Sequence, residues 1–449
     1  MRYFPLTDSE REEIKKFLGI KDTKELFSDI PKDKSYYPLN DIPSALTEDK
    51  LLEKFKELAK KNRYSNYLSF LGAGAYNHFI PEVVNYLISK GELSTPYTPY
   101  QAEVSQGSLQ GIFEYQTMIA MLTGMDVSNS SLYDGGTAAA EGVLLALRKS
   151  KKNRILIASN LHPEYIEIIH TYIQNLNFEA EFIGFDRESG KIDLTQLKKK
   201  IDENCGGFIF QSPNFLGVIE EVKTISDITH NKNAFSVQVT AEAMSLAFLT
   251  PAAENGVDII VGEAQSFGIP IGFGGPYLGF IGAKKEFLRQ MPGRIVGQTL
   301  DTKGRKGYVL TLSTREQHIK REKATSNICS NQALCALRAA IYLSTMGQKG
   351  LKEVSKINHL NTSYFVKEAS KLTNINIKYK KNFYNEVVIE IKNNNVEDFI
   401  AKLEEKNIIA GVPLKYFYSD FEDSILVNFT EIHKKKDIDK LIKAIGEIE

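Results

Sequence analysis

From residue 137 to residue 263 the chain switches repeatedly between two periods. The helical run TAAAEGVLLALRKS is followed by strand RILIAS, helix PEYIEIIHTYIQN, strand EAEFIGF, helix LTQLKKKID, strand GFIFQ, helix TISDITH, and the strands FSVQV and DIIVG. Parallel neighbours in a sheet need a crossover of a dozen or more residues, and a helix is the usual crossover. The alternation therefore predicts an α/β fold with a mainly parallel sheet wrapped by helices.

Such sheets bind ligands beyond the carboxyl ends of their strands, so the residues after each strand are the informative ones. The stretch LYDGGTAAAEG (132–142) places Gly135, Gly136 and Thr137 ahead of an Ala-rich helix. Free N–H groups and the helix dipole make a phosphate cradle there, although glycines before a helix also serve packing alone. In SNLHPEY, His162 follows strand RILIAS and is placed either to stack on a flat aromatic ligand or to cap a loop. QSPNFLGVIE opens a loop at Pro213 and Asn214 that ends at Gly217, and Glu242 follows strand FSVQV. Last comes VGEAQSFGIPIGFGGPYLGF (261–280), whose glycines and prolines force a shaped loop. Gln265 and Ser266 are its only candidates for side-chain chemistry.

Charge and cysteine usage exclude several classes. Lys plus Arg and Asp plus Glu number 56 each, so no broad basic field invites nucleic acid or an anionic membrane. Cys205, Cys329 and Cys335 match no metal or CxxC spacing and read as small buried hydrophobes in a reducing compartment. No stretch approaches a membrane span, and the N-terminus lacks a secretory core, so a cytoplasmic protein is expected.

Texture divides the chain into a helical arm (1–60), a large domain (61–345) and a small C-terminal α/β domain (346–449). In the arm, TDSEREEIKKFLGI offers Thr7 and Asp8 as caps, and LTEDKLLEKFKELAKKN has apolar residues at helical spacing. SQGSLQGIFEYQTMIAMLTGM reads as a helix stopped by Gly124, and the segment from RKGYVL to MGQKG as a turn, a long polar helix and an apolar helix. The small domain is expected to hold strands INIKY, NEVVIEI and SILVNFT, helix VEDFIAKLEEKN and a closing helix.

In sequence, the cradle, histidine, acidic residue and Gly-rich loop resemble the fold-type-I pyridoxal-phosphate (PLP) enzymes, whose acidic residue pairs the pyridine nitrogen and whose loop lysine forms the Schiff base. The stretches FLGAGAYNHFIP (70–81), YTPYQAEVSQGSLQGIFEYQTMIAMLTGMDVSNSSLYDGGTAAAEG (97–142), IPIGFGGPYLGFIGAKK (269–285), RQMPGRIVGQT (289–299) and TLSTREQHIKREKATSNICSNQAL (311–334) narrow this further. They resemble the P-protein of the glycine cleavage system, and more closely the N-terminal half that many bacteria make as a separate subunit 1, the alpha chain of glycine dehydrogenase (decarboxylating). The resemblance covers the chain from end to end.

That resemblance implies a fold-type-I PLP-dependent transferase fold with a seven-stranded type of sheet. It also implies that this chain binds no cofactor. Aligned on Ile269-Pro270, Gln265 stands where the Schiff-base lysine belongs, and Ala264 replaces the histidine before it. Glutamine forms no imine. Glu242 replaces an aspartate, while His162, Gly135, Gly136 and Thr137 keep the form of the site. PLP would sit in the partner, P-protein subunit 2 (the beta chain), and lipoate on the H-protein, with glycine as substrate. Because such sites lie at a dimer interface, Tyr97, Thr98, Tyr100, Gln106, Thr325, Ser326 and Asn327 are the residues expected to reach the partner's site, or else only to pack the interface. The run REQHIKREK presents Arg315, Lys320, Arg321 and Lys323 either to steer an acidic carrier or as a solvated face. Lys284 and Lys285 lie about one strand past the loop, which argues for exposure rather than a displaced Schiff base. A purely structural scaffold and an autonomous PLP enzyme are the rival readings.

Overall fold

The computed structural model describes residues 6–30, 42–94, 98–328, 331–392 and 395–448. The chain divides into two compact units, Met1–Ser65 and Asn66–Glu449. In the first, helix Asp8–Leu18 begins at a capping box between Thr7 and Glu10 and stops at Gly19 in the left-handed conformation. Helix Glu48–Lys61 follows. Neither helix buries a residue, and Phe17, Leu52 and Phe55 lie open.

The second unit is built on a seven-stranded sheet in the order Val127–Ser128, Gly279–Ala283, Ile259–Glu263, Phe235–Thr240, Cys205–Gln211, Arg154–Ala158, Glu179–Ile183. The last five pair in parallel, as the alternating periods predict. Gly279–Ala283 runs antiparallel to both of its neighbours. Helices Gly135–Ser150 and Pro163–Ile173 share one apolar cluster with the sheet, and Val222–His230 belongs to another. Small residues let the first helix lie close: a Cβ on Gly142 would come within 2.9 Å of Val261.

Helix Gln106–Thr123 ends at Gly124 with φ 72°, as the sequence predicts. Two expectations fail between residues 295 and 323. Ile295–Leu300 and Lys306–Thr311 form an antiparallel hairpin where only a turn is predicted. The long polar helix is instead three short turns, Ser313–Arg315, Gln317–Lys320 and Arg321–Lys323, with Arg321 at φ 53°. A run whose lone large apolar residue is Ile319 has no face to bury, and packing rather than propensity sustains most helices.

Helix Ala333–Ala369 breaks at Gly347 (φ 59°, ψ 177°). Beyond it, Ile375–Ile377, Glu386–Ile391, Ser424–Asn428 and Val412–Pro413 form a four-stranded antiparallel sheet with its own core. The chain entering this unit at Leu68–Ser69 pairs with Ile408–Ile409, so the segment after it starts beside the C-terminal layer. Cys205 is buried and Cys335 half-buried, both unpaired, and burial pushes both thiols up. Cys329 lies outside the described residues. Among the described residues no helix is long and apolar enough to cross a membrane.

Candidate functional site

Four of the five parallel strands end at Ala158, Gln211, Thr240 and Glu263, and the residues just past them gather along one edge of the sheet. At the cradle, Asp134 caps helix Gly135–Ser150 by accepting Thr137 N–H at 2.7 Å. The Gly135 N–H is not left for a ligand. It donates to Glu263 Oε2 at 2.9 Å, while Glu263 Oε1 accepts from Gln265 N at 3.0 Å and Leu278 N at 2.8 Å. Glu263 is 2 % exposed, and burial pushes its carboxyl up to about 7 against the pull of these amides, with Asp134 pushing it further. Sequence reasoning missed Glu263. The available signal was an acidic residue closing the apolar strand DIIVG.

His162 also meets a group of its own chain. Its ring stacks on Tyr165, with centroids 4.4 Å apart and planes 15° apart, while Phe215 stands edge-on to it. Its Nε2–H donates to Ala73 O at 2.9 Å, and burial lowers its pKa, keeping it neutral. Tyr165 reaches on to the cradle, since a Cβ on Gly135 would meet Tyr165 Oη at 2.3 Å. Gln265, 1 % exposed, is bonded at both ends of its amide: Oε1 accepts from Tyr76 N at 3.0 Å and Nε2 donates to Ile269 O at 2.6 Å.

Glu242 accepts from Met244 N at 2.7 Å and meets His78 Nε2 at 3.1 Å. His78 Nδ1 lies 2.7 Å from Glu431 Oε2, so one buried imidazole sits between two carboxylates. Burial alone would lower the His78 pKa, but the carboxylates outweigh it and hold it at about 10; in return His78 keeps the Glu431 carboxyl below its ordinary value despite burial. Next to them Glu386 accepts from Ala73 N at 2.6 Å and from Tyr76 Oη at 2.9 Å, and burial raises it to about 7.

The segment GAGAYNH (72–78) thus touches three of the post-strand positions in turn: Ala73 the histidine, Tyr76 the glutamine, His78 the glutamate. Three places at which a PLP molecule would be held are taken by groups of this chain. The first amide of the cradle is bonded to a carboxylate, the face of His162 is covered by a tyrosine, and the imine position holds an amide. Lys284 offers no substitute. Glu263 pairs across the sheet with Gly279 but Ile259 with Ala283, so Lys284 and Lys285 leave the sheet at its opposite edge. Lys285 is exposed as expected, whereas Lys284 is half-buried and paired with Asp258 at 2.6 Å.

The other predicted residues fall into separate groups. Tyr97 lies outside the described residues. Tyr100, largely exposed, accepts from Arg294 Nη2 at 3.0 Å. Arg294 itself is 4 % exposed and lies near Asn331, which donates to Ser130 and Ser131. The Thr98 hydroxyl is buried and has no protein partner among the described residues. Gln106 bonds both to Tyr308 N and to Tyr308 O, which occupies its amide in holding the hairpin. Ser326 donates to buried Glu141, and Thr325, Ser326 and Asn327 line a cleft with Glu141, Arg148 and Tyr172. Arg315 is tied to the carbonyls of Leu312, Met291 and Gly293, whereas Lys320, Arg321 and Lys323 are exposed. Arg294 and Glu141, which organise the two groups, were not singled out from the sequence; nothing in their local pattern marks them.

Comparison with known proteins agrees with this fold. The family model for the glycine cleavage system P-protein matches residues 1–445. The probable glycine dehydrogenase (decarboxylating) subunit 1 of Koribacter versatilis (strain Ellin345) is 44% identical over 448 residues, covering 100% of both chains. That of Solibacter usitatus (strain Ellin6076) is 44% identical over 445 residues, covering 99% of this chain and 97% of its own length. A crystal structure of glycine decarboxylase (P-protein) of the glycine cleavage system, in inhibitor-bound form, superposes with a TM-score of 0.86 at 38% identity, covering 100% of both chains. A NifS-like protein from Rickettsia africae shares the fold alone, with a TM-score of 0.63 at 15% identity over 85% of this chain and 99% of its own. The chain belongs to the P-protein family of the glycine cleavage system, in the subunit 1 group of glycine dehydrogenase (decarboxylating).

Proposed function

We propose that this chain is the cofactor-free subunit of a two-chain glycine decarboxylase. One observation carries the reading: the post-strand site is filled by the chain itself, with Glu263 on the cradle amide, Tyr165 on His162 and Gln265 bonded at both ends of its amide. In this reading PLP, which supplies an electron sink for the carbanion left when glycine loses CO2, resides in P-protein subunit 2. The complex passes the aminomethyl group to the lipoyl arm of the H-protein. The proposed setting is the cytoplasm, where unpaired thiols such as Cys205 and Cys335 stay reduced.

This chain's part is to complete the partner's site. Tyr100, held by buried Arg294, presents an aromatic wall with a polar tip, and Thr98, Thr325 and Asn327 present neutral donors. A scaffold role makes the opposite prediction for the same residues, namely no effect of their removal on turnover in an intact complex.

The test is glycine–bicarbonate carbon exchange with lipoylated H-protein and PLP, run on this chain alone, on subunit 2 alone and on the pair, with visible spectra of each. Exchange that requires both chains, with protein-bound cofactor absorbance (read after free PLP is removed) only where subunit 2 is present, is the expected result. Cofactor absorbance or exchange from this chain alone overturns the proposal.

A further inference from the structure

Glu263 has an unusual set of partners for a buried acid. It ends the Ile259–Glu263 strand, whose other side chains are apolar or absent, and no cation among the described residues pairs with it. Its two oxygens are divided among three backbone N–H groups that come from three places: Gly135 at the first turn of a sixteen-residue helix, Gln265 just past the strand, and Leu278 at the return of the Gly-rich loop. Convergent backbone amides with a helix dipole behind one of them are what proteins use to hold a free anion. The surroundings fit that use. Tyr165 Oη and the Glu263 side chain crowd the space a Gly135 Cβ would need, and a Cβ on Gly279 would lie 2.3 Å from Asp134 O, so the strands and loop close on the carboxylate from both sides.

We infer that Glu263 is a tethered anionic ligand: its carboxylate occupies the anion cradle of this subunit, so that the cradle is complete with no cofactor present. The inference rests on the reading that this chain holds no PLP. It adds the chemical class that the cradle accepts, a carboxylate monoanion. Asp134 already places a carboxylate on the same helix end, bonded to Thr137 N. A phosphate dianion arriving there meets that second negative charge at short range in a buried setting, where repulsion is weakly screened.

Chemical rescue tests this on the purified full chain at about pH 8.5, where Glu263, whose carboxyl burial raises to about 7, is ionised. Glu263→Ala removes the carboxylate and leaves a space lined by the three amides, which sodium formate or acetate can enter. The expected result is a lower urea midpoint for Glu263→Ala, regained saturably with formate but not with sodium chloride or phosphate at equal ionic strength, as a ligand that binds only the folded state requires. The wild-type midpoint is expected to show no formate dependence beyond that of chloride. Glu263→Gln keeps the volume while losing the charge and one acceptor. It is expected to fall below wild type without formate response, and it carries the test should Glu263→Ala not fold. A Glu263→Ala chain as stable as wild type, one destabilised but unresponsive to formate, or a Glu263→Gln chain as stable as wild type overturns the inference. Cofactor absorbance from the wild-type chain with added PLP would instead overturn the proposed function, so the two failures are told apart.

Discussion

His78 ties together three parts of the chain that are far apart in sequence: its own segment, Glu242 past the Phe235–Thr240 strand, and Glu431 past the Ser424–Asn428 strand. Replacing it with leucine leaves two buried carboxylates facing one another with no cation between them. Removing one partner of a buried ion pair costs about 3–5 kcal/mol. The proton affinity points the same way, since the gap between a pKa of about 10 folded and the ordinary 6.5 corresponds to about 5 kcal/mol. The sign of the pH effect follows from the raised pKa. The stabilisation is fully present below about pH 6.5 and is lost as the pH climbs toward about 10, because the folded chain holds a proton that the unfolded chain has released. Urea unfolding of wild type and His78→Leu at pH 6.5, 8 and 9.5 measures both effects, and taking the difference removes the contribution of Glu386, whose raised carboxyl is present in each chain. The difference should be large at pH 6.5 and shrink steadily with pH, and adding Glu431→Gln to His78→Leu should recover part of the loss. A difference below about 1 kcal/mol, the worth of an ordinary exposed pair, or one that grows with pH would refute the reasoning.

Other substitutions probe the filled site and its neighbours. Gln265→Lys alone should carry no cofactor band once free PLP has been removed by gel filtration, because Glu263 and Tyr165 still occupy the cradle and the histidine face; a protein-bound band would show that filling does not exclude the ligand. Gly135→Ala should cost about 1–3 kcal/mol in urea unfolding, since its Cβ would come within 2.3 Å of Tyr165 Oη and 2.9 Å of Glu263 Cβ. Tyr100→Phe leaves a donor of buried Arg294 without its acceptor, at about 1–3 kcal/mol, and on the proposed function it slows exchange in the assembled pair; unchanged exchange with the pair intact favours the scaffold role.

Much of the fold was legible because its strands and helices announce themselves locally. The five parallel strands, the cap at Thr7 and the stop at Gly124 each follow from a few adjacent residues. The Ile295–Thr311 hairpin was not, since both strands surround a charged turn, DTKGR, and the second was absorbed into a supposed loop. The strand pattern also located the edge where the site lies, while the resemblance to the P-protein, not the local pattern, marked Gln265 as a residue without the chemistry its position calls for. What it could not supply is who touches whom over long separations. Tyr76 and Gln265 meet across 189 residues, and His78 and Glu431 across 353. A buried group's partner must be found somewhere, and only folding says where.

The filled site follows from that requirement. On the proposed function, a glutamine at the lysine position removes a cofactor's anchor, but it does not remove the amides at the start of helix Gly135–Ser150 or the flat face of His162. An unpaired buried amide costs about 1–3 kcal/mol, and an open aromatic face leaves a cavity costing about 24 cal/mol per Å3. Glu263 and Tyr165 answer these two demands separately, the first with charge and hydrogen bonds, the second with a stacked ring. Gln265 then serves both sides, its side chain bonding Tyr76 and Ile269 while its backbone N–H donates to Glu263. The three residues are coupled through shared contacts, so their substitutions should not add. Glu263→Ala and Gln265→Ala in one chain should cost less than the sum of the two alone, because the first already releases the backbone that the second perturbs. Urea midpoints of the two single variants and the double variant decide this, and strict additivity would mean that the cradle and the glutamine are independent features that happen to be neighbours.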